Sequence, residues 1–131
     1  EAGLHYNSQA GAFYQATKEM TKLLRLQGAD EDSAVLGIGD LYVTVYGGRT
    51  RKIGILLGEG KTYEEALNIL AGVTLESLVV ARRVAKAIYR KAELGMVDLA
   101  EFPLMTHVND VIDHGKDAEL PWDAFTFDNT K

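Results

Sequence analysis

The sequence contains no cysteine and no long apolar run, and each absence excludes a class of protein. Without cysteine the chain has no disulfide framework, no thiolate nucleophile and no cysteine ligand for zinc or an iron–sulfur cluster. This composition fits a reducing compartment. No run approaches the roughly 18 apolar residues that a membrane span needs, and no signal peptide is visible. We therefore expect a cytoplasmic protein with no membrane span.

An excess of positive charge is also missing. The 14 Lys and Arg residues are outnumbered by 19 Asp and Glu residues, which gives a formal net charge of −5 at pH 7. A protein without a broad basic surface is not expected to bind nucleic acid. The three histidines, His5, His107 and His114, are scattered and show no metal-ligand spacing, so no metal site is expected.

The 131 residues are 47% hydrophobic, which is enough for one sizeable core. Over most of the chain the apolar residues recur at helical spacing. Thr62 and Glu65 have the spacing of a capping box, and Pro103 suits the first position of a helix. The sequence therefore predicts a single all-α domain over residues 1–131, with six or seven helices.

Individual helices can be placed from their start and stop signals. The first is predicted over residues 8–27, where Gly28 ends it, and the clearest over residues 76–94. Acids and capping residues at Asp30 and Ser33 predict the start of a short helix. Residues 41–46 are rich in strand formers but have no partner strand, so we interpret them as a helix.

The most informative segment is the turn Gly47-Gly48-Arg49, which is followed by Arg51 and Lys52. Two glycines leave backbone amides unshielded, and an arginine can bind an oxyanion through two parallel hydrogen bonds. A helix that starts just after Gly48 would also point its free amides and positive end at that anion. The segment predicts a phosphate or carboxylate site. The alternative is a plain turn followed by a solvated basic surface.

Two further residues are candidates for contact with a ligand, and a third lies at the start of a helix. Asp40 and Thr44 stand four apart, so on a helix they share a face and could present a carboxylate and a hydroxyl to a ligand. The other interpretation makes Asp40 the N-cap of a helix after Gly39. Glu76 opens the predicted helix of residues 76–94, where an acid is favoured by the positive helix end.

Taken in order, the motifs of this chain resemble the C-terminal domain of NAD(P)-dependent glycerol-3-phosphate dehydrogenase. The family runs through Gly-Asp-Leu, a threonine, a Ser/Gly-Arg-Asn-Arg step and a Leu-Gly-x-Gly-Lys turn before an acidic-capped helix. The matching segments here are Gly37-Ile38-Gly39-Asp40-Leu41, Thr44, Gly47-Gly48-Arg49-Thr50-Arg51-Lys52 and Leu57-Gly58-Glu59-Gly60-Lys61. Asn7-Ser8-Gln9-Ala10, Glu76, Phe102-Pro103-Leu104 and Gly115-Lys116-Asp117 extend the resemblance over nearly the whole chain.

The resemblance implies an all-α domain of the 6-phosphogluconate dehydrogenase C-terminal type. It implies an enzyme that interconverts dihydroxyacetone phosphate and sn-glycerol 3-phosphate by hydride transfer with NAD or NADP. Its implied substrate-binding residues are Asp40, Thr44, Gly48, Arg49 and Thr50. In that family the residue matched by Asp40 lies beside the catalytic lysine, and those matched by Arg49 and Glu76 also contact the dinucleotide.

The chain departs from the family pattern in several places. The family's catalytic lysine belongs to a Leu-Lys-Asn segment upstream of the first long helix, and neither that segment nor the glycine-rich dinucleotide domain occurs in these residues. Thr50 replaces an asparagine and Gln9 replaces a lysine. Because the chain starts at Glu1 without an initiator methionine, we expect a domain excised from a longer polypeptide; the alternative is a trimmed tag.

Three hypotheses follow from these observations. The first is the helical substrate domain of a glycerol-3-phosphate dehydrogenase, inactive alone, whose partners are a phosphorylated three-carbon substrate and its own N-terminal Rossmann domain. The second is a related two-domain dehydrogenase for another small hydroxy acid or phosphate. The third is a non-catalytic helical module for anion binding or dimerisation. The choice between NAD and NADP stays open, as does assembly into a homodimer.

Overall fold

Six α-helices account for most of residues 6–71 and 75–126, the residues that the computed structural model describes. They are α1 (Tyr6–Leu26), α2 (Glu31–Gly47), α3 (Thr50–Gly58), α4 (Tyr63–Ile69), α5 (Glu76–Glu93) and α6 (Pro103–His114). Two short 3-10 turns lie at Leu99–Glu101 and Trp122–Ala124, and these described residues contain no strand. The predicted all-α fold class is confirmed. His5 lies outside the described residues.

By its internal contacts the chain divides into two compact units, Glu1–Tyr42 and Val43–Lys131, here called the N-terminal and C-terminal units. The division falls within α2. The prediction of one helical domain over residues 1–131 stays a prediction. Within the described residues, no helix is both long enough and apolar enough to cross a membrane.

The N-terminal unit consists of α1 and the first part of α2. Asp30 caps α2, because its Oδ1 accepts from the backbone N of Ser33 at 3.1 Å and from the Ser33 hydroxyl at 2.9 Å. A Cβ atom on Gly37 would lie 2.6 Å from Met20 Sδ, so a larger residue there would displace the Met20 side chain. Gln15 is buried in α1 and donates from Nε2 to Glu19 Oε1 at 2.8 Å.

Helix α2 differs from its prediction in one respect. The helical interpretation of residues 41–46 is confirmed, but they belong to a 17-residue helix that already begins at Glu31. The two separate helices expected here are therefore wrong, and so is the alternative that makes Asp40 an N-cap. Asp40 lies inside α2, because Asp30 supplies the cap and Gly37 and Gly39 are accommodated within the helix.

The C-terminal unit is built around an apolar core to which four helices each contribute one buried residue. These residues are Ile53 of α3, Ala66 of α4, Leu78 of α5 and Ile112 of α6. Helix α3 packs against α4, and α5 packs against α6. The predicted apolar face of α5 is confirmed, since Ala85 and Ile88 are also buried. The burial of these faces, more than helix propensity, holds the helices in place.

Caps define where the helices of the C-terminal unit begin and end. The predicted capping box of α4 is present, with Thr62 and Glu65 bonded to each other's backbone amides. Pro103 starts α6 as predicted, and Gly115 ends it in the left-handed conformation at φ 64°. After α6, Phe125 is buried and meets the Trp122 ring edge-on at 5.4 Å, which anchors the tail.

Candidate functional site at the start of α3

The predicted anion-binding turn connects α2 to α3. The Gly48 amide donates to the Thr44 carbonyl at 3.0 Å, and the chain then enters α3 through Arg49, whose φ of −59° and ψ of −33° are already helical. A Cβ atom on Gly48 would lie 2.9 Å from the Thr44 carbonyl oxygen and 3.1 Å from its Cγ2. Gly48 is therefore required by the close approach of Thr44, whereas a Cβ on Gly47 would meet nothing within 4 Å.

The first turn of α3 is positively charged and carries no side-chain cap. Arg49 occupies the N-cap position without a side-chain cap bond, and the first turn contains no acid. The amides of Arg51 and Lys52 donate to the carbonyls of Gly48 and Arg49 at 3.1 and 3.2 Å. These two amides are thus engaged, so an anion here depends on the Arg49 side chain and the positive helix end.

The Arg49 side chain is available for such an interaction. It is exposed, and across residues 6–71 and 75–126 no hydrogen bond or ion pair engages its guanidinium group. A guanidinium stays charged at any physiological pH and offers a planar fork of donors to phosphate or carboxylate. The arrangement suits a ligand that brings its own negative charge.

A groove of about 410 Å³ lies beside this turn within the C-terminal unit. Most of its lining surface is apolar, and the residues that line it are Thr44, Val45, Thr50, Arg51, Gly54 and Ile55. A volume of this size is typical of small-molecule sites. The groove brings together Thr44 and Thr50, two of the residues selected from the sequence. Thr50 and Arg51 can offer a hydroxyl and a guanidinium to an oxygen-rich ligand whose body rests on the apolar lining.

The first turn of α5 approaches the first turn of α3. The hydroxyl oxygens of Thr50 and Ser77 share a hydrogen bond, although the two residues are 27 positions apart in the chain. Glu76, the exposed first residue of α5, directly precedes Ser77. Sequence reasoning missed Ser77, since a single serine belongs to no motif; its position next to Glu76 was the one available signal.

Asp40 is a predicted substrate-binding residue outside the C-terminal unit. It lies in the N-terminal unit, exposed in the middle of α2 and four positions before Thr44. Gln9, which the family comparison singled out, is exposed near the start of α1. The structure therefore assembles Thr44, Gly48, Arg49, Thr50 and Glu76 in the C-terminal unit, and their roles toward a ligand stay predictions.

A second cavity, of about 270 Å³, lies on another side of Thr50. It is mostly apolar, and its wall includes Ile53, Leu78 and His107. The His107 side chain is 4% exposed, and neither of its ring nitrogens has a hydrogen-bond partner among the described residues. An unsatisfied buried polar group costs about 1–3 kcal/mol. This burial was not visible in the sequence, because His107 follows no ligand or catalytic pattern.

Known proteins resemble this chain over most of its length. Residues 1–122 match the sequence model of a family described as the C-terminus of NAD-dependent glycerol-3-phosphate dehydrogenase. A glycerol-3-phosphate dehydrogenase (NAD(P)+) of Methylobacillus flagellatus is 34% identical over 114 residues, which are 84% of this chain and 32% of the relative. The enzyme of the same name from a Thermoanaerobacter species is 29% identical over 126 residues, 93% of this chain and 35% of the relative.

A third enzyme of that name, from Polaromonas naphthalenivorans, is 36% identical over 97 residues, 71% of this chain and 26% of the relative. The chain thus spans about a third of the length of the first two relatives. No solved structure matches it.

Proposed function

We infer the function of this chain from its family, since it belongs to the NAD-dependent glycerol-3-phosphate dehydrogenases as their C-terminal domain. We propose that it holds the substrate of such an enzyme. The reaction is the interconversion of sn-glycerol 3-phosphate and dihydroxyacetone phosphate, in the cytoplasm, with NAD or NADP. The observation that carries this proposal is the Gly48-Arg49-Thr50 turn beside a groove lined by Thr44, Thr50 and Arg51, in a chain that matches the family over residues 1–122.

The substrate phosphate is assigned to Arg49 and the positive end of α3. A phosphate that carries two negative charges gains most from a guanidinium that no other described side chain engages. The three-carbon body then extends along the groove, whose lining includes Thr44 and Thr50. Fixing the phosphate at one end orients the ketone, and this orientation is the main contribution of the turn to the rate.

The chain supplies only a small part of a dinucleotide site. Arg49 and Glu76 are the residues that would contact it, and both lie at helix starts joined by the Thr50–Ser77 hydrogen bond. When bound, the nicotinamide supplies or accepts the hydride. The proton for the ketone oxygen is assigned to a lysine outside these 131 residues, and Asp40 to the support of that lysine.

The test is an assay of the full-length protein with dihydroxyacetone phosphate, with NADH and NADPH compared. We expect oxidation of the nicotinamide that depends on the phosphorylated substrate, and none with unphosphorylated dihydroxyacetone. The isolated 131-residue chain should show no turnover, since the lysine and most of the cofactor site lie elsewhere. A full-length protein with no activity toward this substrate would contradict the proposal, and turnover by the isolated chain would contradict the placement of its catalytic groups.

One observation favours a second candidate, a related dehydrogenase for a different small hydroxy acid or phosphate. Thr50 lies in the groove at the position where the family resemblance expects asparagine. A hydroxyl has one donor hydrogen where an amide has two, so the preferred substrate can differ in its oxygen pattern. The same assay with a panel of two- to four-carbon hydroxy acids and phosphates distinguishes the two candidates by their relative kcat/KM.

A further inference from the structure

We propose that Ser77 is a positioning residue of the substrate groove that acts through the Thr50 hydroxyl. Ser77 does not line the groove, whereas Thr50 does, and the two side chains are joined by a hydrogen bond between their hydroxyl oxygens. The inference rests on the proposed function, because it assigns the groove to a phosphorylated substrate. It adds a residue from α5 to a groove whose lining residues belong to α2 and α3.

The hydrogen bond between Thr50 and Ser77 matters because the hydrogen of an isolated threonine hydroxyl rotates about the C–O bond. The hydroxyl has one hydrogen to donate and two lone pairs that accept, and its hydrogen turns to whichever partner is present. The Ser77 contact limits the pair to two arrangements. In the first, Thr50 donates to Ser77 and turns only lone pairs toward the groove. In the second, Ser77 donates to Thr50, and the hydrogen of Thr50 is free to point into the groove.

The substrate decides between these arrangements. The phosphate and ketone oxygens of dihydroxyacetone phosphate are acceptors, so only the second arrangement offers them a partner. Ser77 then donates to Thr50 and Thr50 donates to the substrate, a chain in which each hydrogen bond polarises the next. Ser77 thus limits the orientations open to the Thr50 hydroxyl before the substrate arrives, and less rotational entropy remains to be lost on binding.

Both hydroxyls are held by rigid elements. Thr50 is the first residue of α3 and Ser77 the second residue of α5. The two helices are fixed to each other through Ile53 and Leu78, which are buried in the same apolar core. The Ser77 oxygen is therefore presented by the packing of the unit.

The experiment is a double-mutant cycle in the full-length protein, with Ser77→Ala, Thr50→Val and the double variant. We expect Ser77→Ala to raise the KM for dihydroxyacetone phosphate about three- to tenfold, the effect of one ordinary hydrogen bond, with little change in kcat. In the Thr50→Val background the same Ser77→Ala change should leave KM unaltered, because there is no hydroxyl left to orient. Ser77→Thr, which keeps a hydroxyl, should retain most of the wild-type affinity.

The matched control is Ser33→Ala. Ser33 also lies in the first turn of a helix and donates its hydroxyl to a nearby side chain, Asp30, at the start of α2. The Ser33→Ala variant should lose a comparable surface hydrogen bond, and its KM should not change. Alanine is the best helix former, so both alanine variants should fold, and thermal unfolding measured by circular dichroism checks this.

The possible failures are distinguishable. A wild-type protein that does not turn over dihydroxyacetone phosphate overturns the proposed function, and this inference with it. If the wild-type protein is active and Ser77→Ala has the wild-type KM, only the role of Ser77 is overturned. An equal effect of Ser77→Ala in the wild-type and Thr50→Val backgrounds also overturns it, because Ser77 would then act independently of Thr50.

Discussion

Helices α3 and α4 are neighbours in the fold, but their first turns are completed in opposite ways. At α4 the Thr62 hydroxyl accepts from the Glu65 amide at 3.2 Å, and the Thr62 amide donates to Glu65 Oε2 at 2.8 Å. Glu64 adds a second acid at the positive helix end. At α3 the N-cap residue is Arg49, no side chain caps the turn, and no acid is present.

This contrast indicates that the start of α4 is structural, whereas the start of α3 is a candidate binding site. The start of α4 is satisfied within the chain, so a ligand would gain little there. The start of α3 places cations at the end of a helix where negative charge is favoured, which disfavours folding slightly and leaves the turn electrostatically incomplete. An anion that binds beside Arg49 corrects both defects.

The largest expected effect tests whether the start of α3 binds the substrate phosphate. In the full-length protein, Arg49→Ala should raise the KM for dihydroxyacetone phosphate about 10- to 100-fold, because the phosphate loses a charge-assisted contact of ~1.5–3 kcal/mol. Steady-state kinetics measures this. Lys52→Ala is the matched control, since Lys52 is an exposed cation of the same first turn to which the proposal assigns no phosphate contact, and the KM of this variant should stay close to wild type.

Arg49→Ala should leave thermal stability unchanged or slightly higher, because a cation is removed from the positive helix end. An unchanged KM in this variant would contradict the assignment of the substrate phosphate to the start of α3. The difference between the starts of α3 and α4 would then have no bearing on binding.

The next effect tests the shape of the turn. Gly48→Ala should lower the free energy of unfolding by about 1–3 kcal/mol, because its Cβ would press on the Thr44 carbonyl oxygen at 2.9 Å and force the turn to shift. KM should rise as well, since Thr44 lines the groove. Gly47→Ala should be neutral or stabilising by up to ~1 kcal/mol, because Gly47 is the last residue of α2 and has open space around it.

Chemical denaturation of both glycine variants measures the difference. Equal stability losses at positions 47 and 48 would show that the close approach of Thr44 does not constrain the turn.

A smaller effect is expected at the structural helix start. Thr62→Ala should lower the free energy of unfolding by about 1 kcal/mol through loss of the N-cap bond, and Thr62→Ser should recover most of it. KM should not change in either variant. A rise in KM comparable to that of Arg49→Ala would mean that the start of α4 also takes part in binding.

The smallest effect is a pH dependence that α4 should show and α3 should not. The backbone amide of Thr62 donates to the Glu65 carboxylate, and this holds the pKa of Glu65 below its ordinary value of 4.5. A carboxyl whose pKa is lowered by folding stabilises the protein above its unfolded pKa, and the contribution is lost as the pH falls through the folded value. Wild type should therefore exceed Glu65→Gln in stability at neutral pH, and the difference should vanish as the pH drops below 4.5.

Denaturation curves at several pH values follow that difference, and a gap that persists in acid would contradict the cause given for it. Arg49→Gln provides the comparison at α3, where no acid lies in the first turn and no such acid-dependent difference is expected.

Much of the local structure was predictable because it depends on residues close together in the chain. The capping box of Thr62 and Glu65 spans three positions, and both partners are visible as a spacing. Pro103 and Gly115 delimit α6 for equally local reasons. The prediction was wrong in α2, where a short helix after Asp30 and a separate helix over residues 41–46 were expected; the packing of Met20 against Gly37 within one continuous helix was not visible in the sequence.

The order of motifs in the sequence was enough to determine the all-α class, the family and the choice of Arg49 and Thr50 as candidate site residues, because each depends on residue type and short spacing. The partnership of Thr50 with Ser77 and the burial of His107 required the tertiary structure. Both depend on how α3, α5 and α6 pack around Ile53, Leu78 and Ile112. Packing brings together residues that are far apart in the chain, and no spacing rule records which of them will meet.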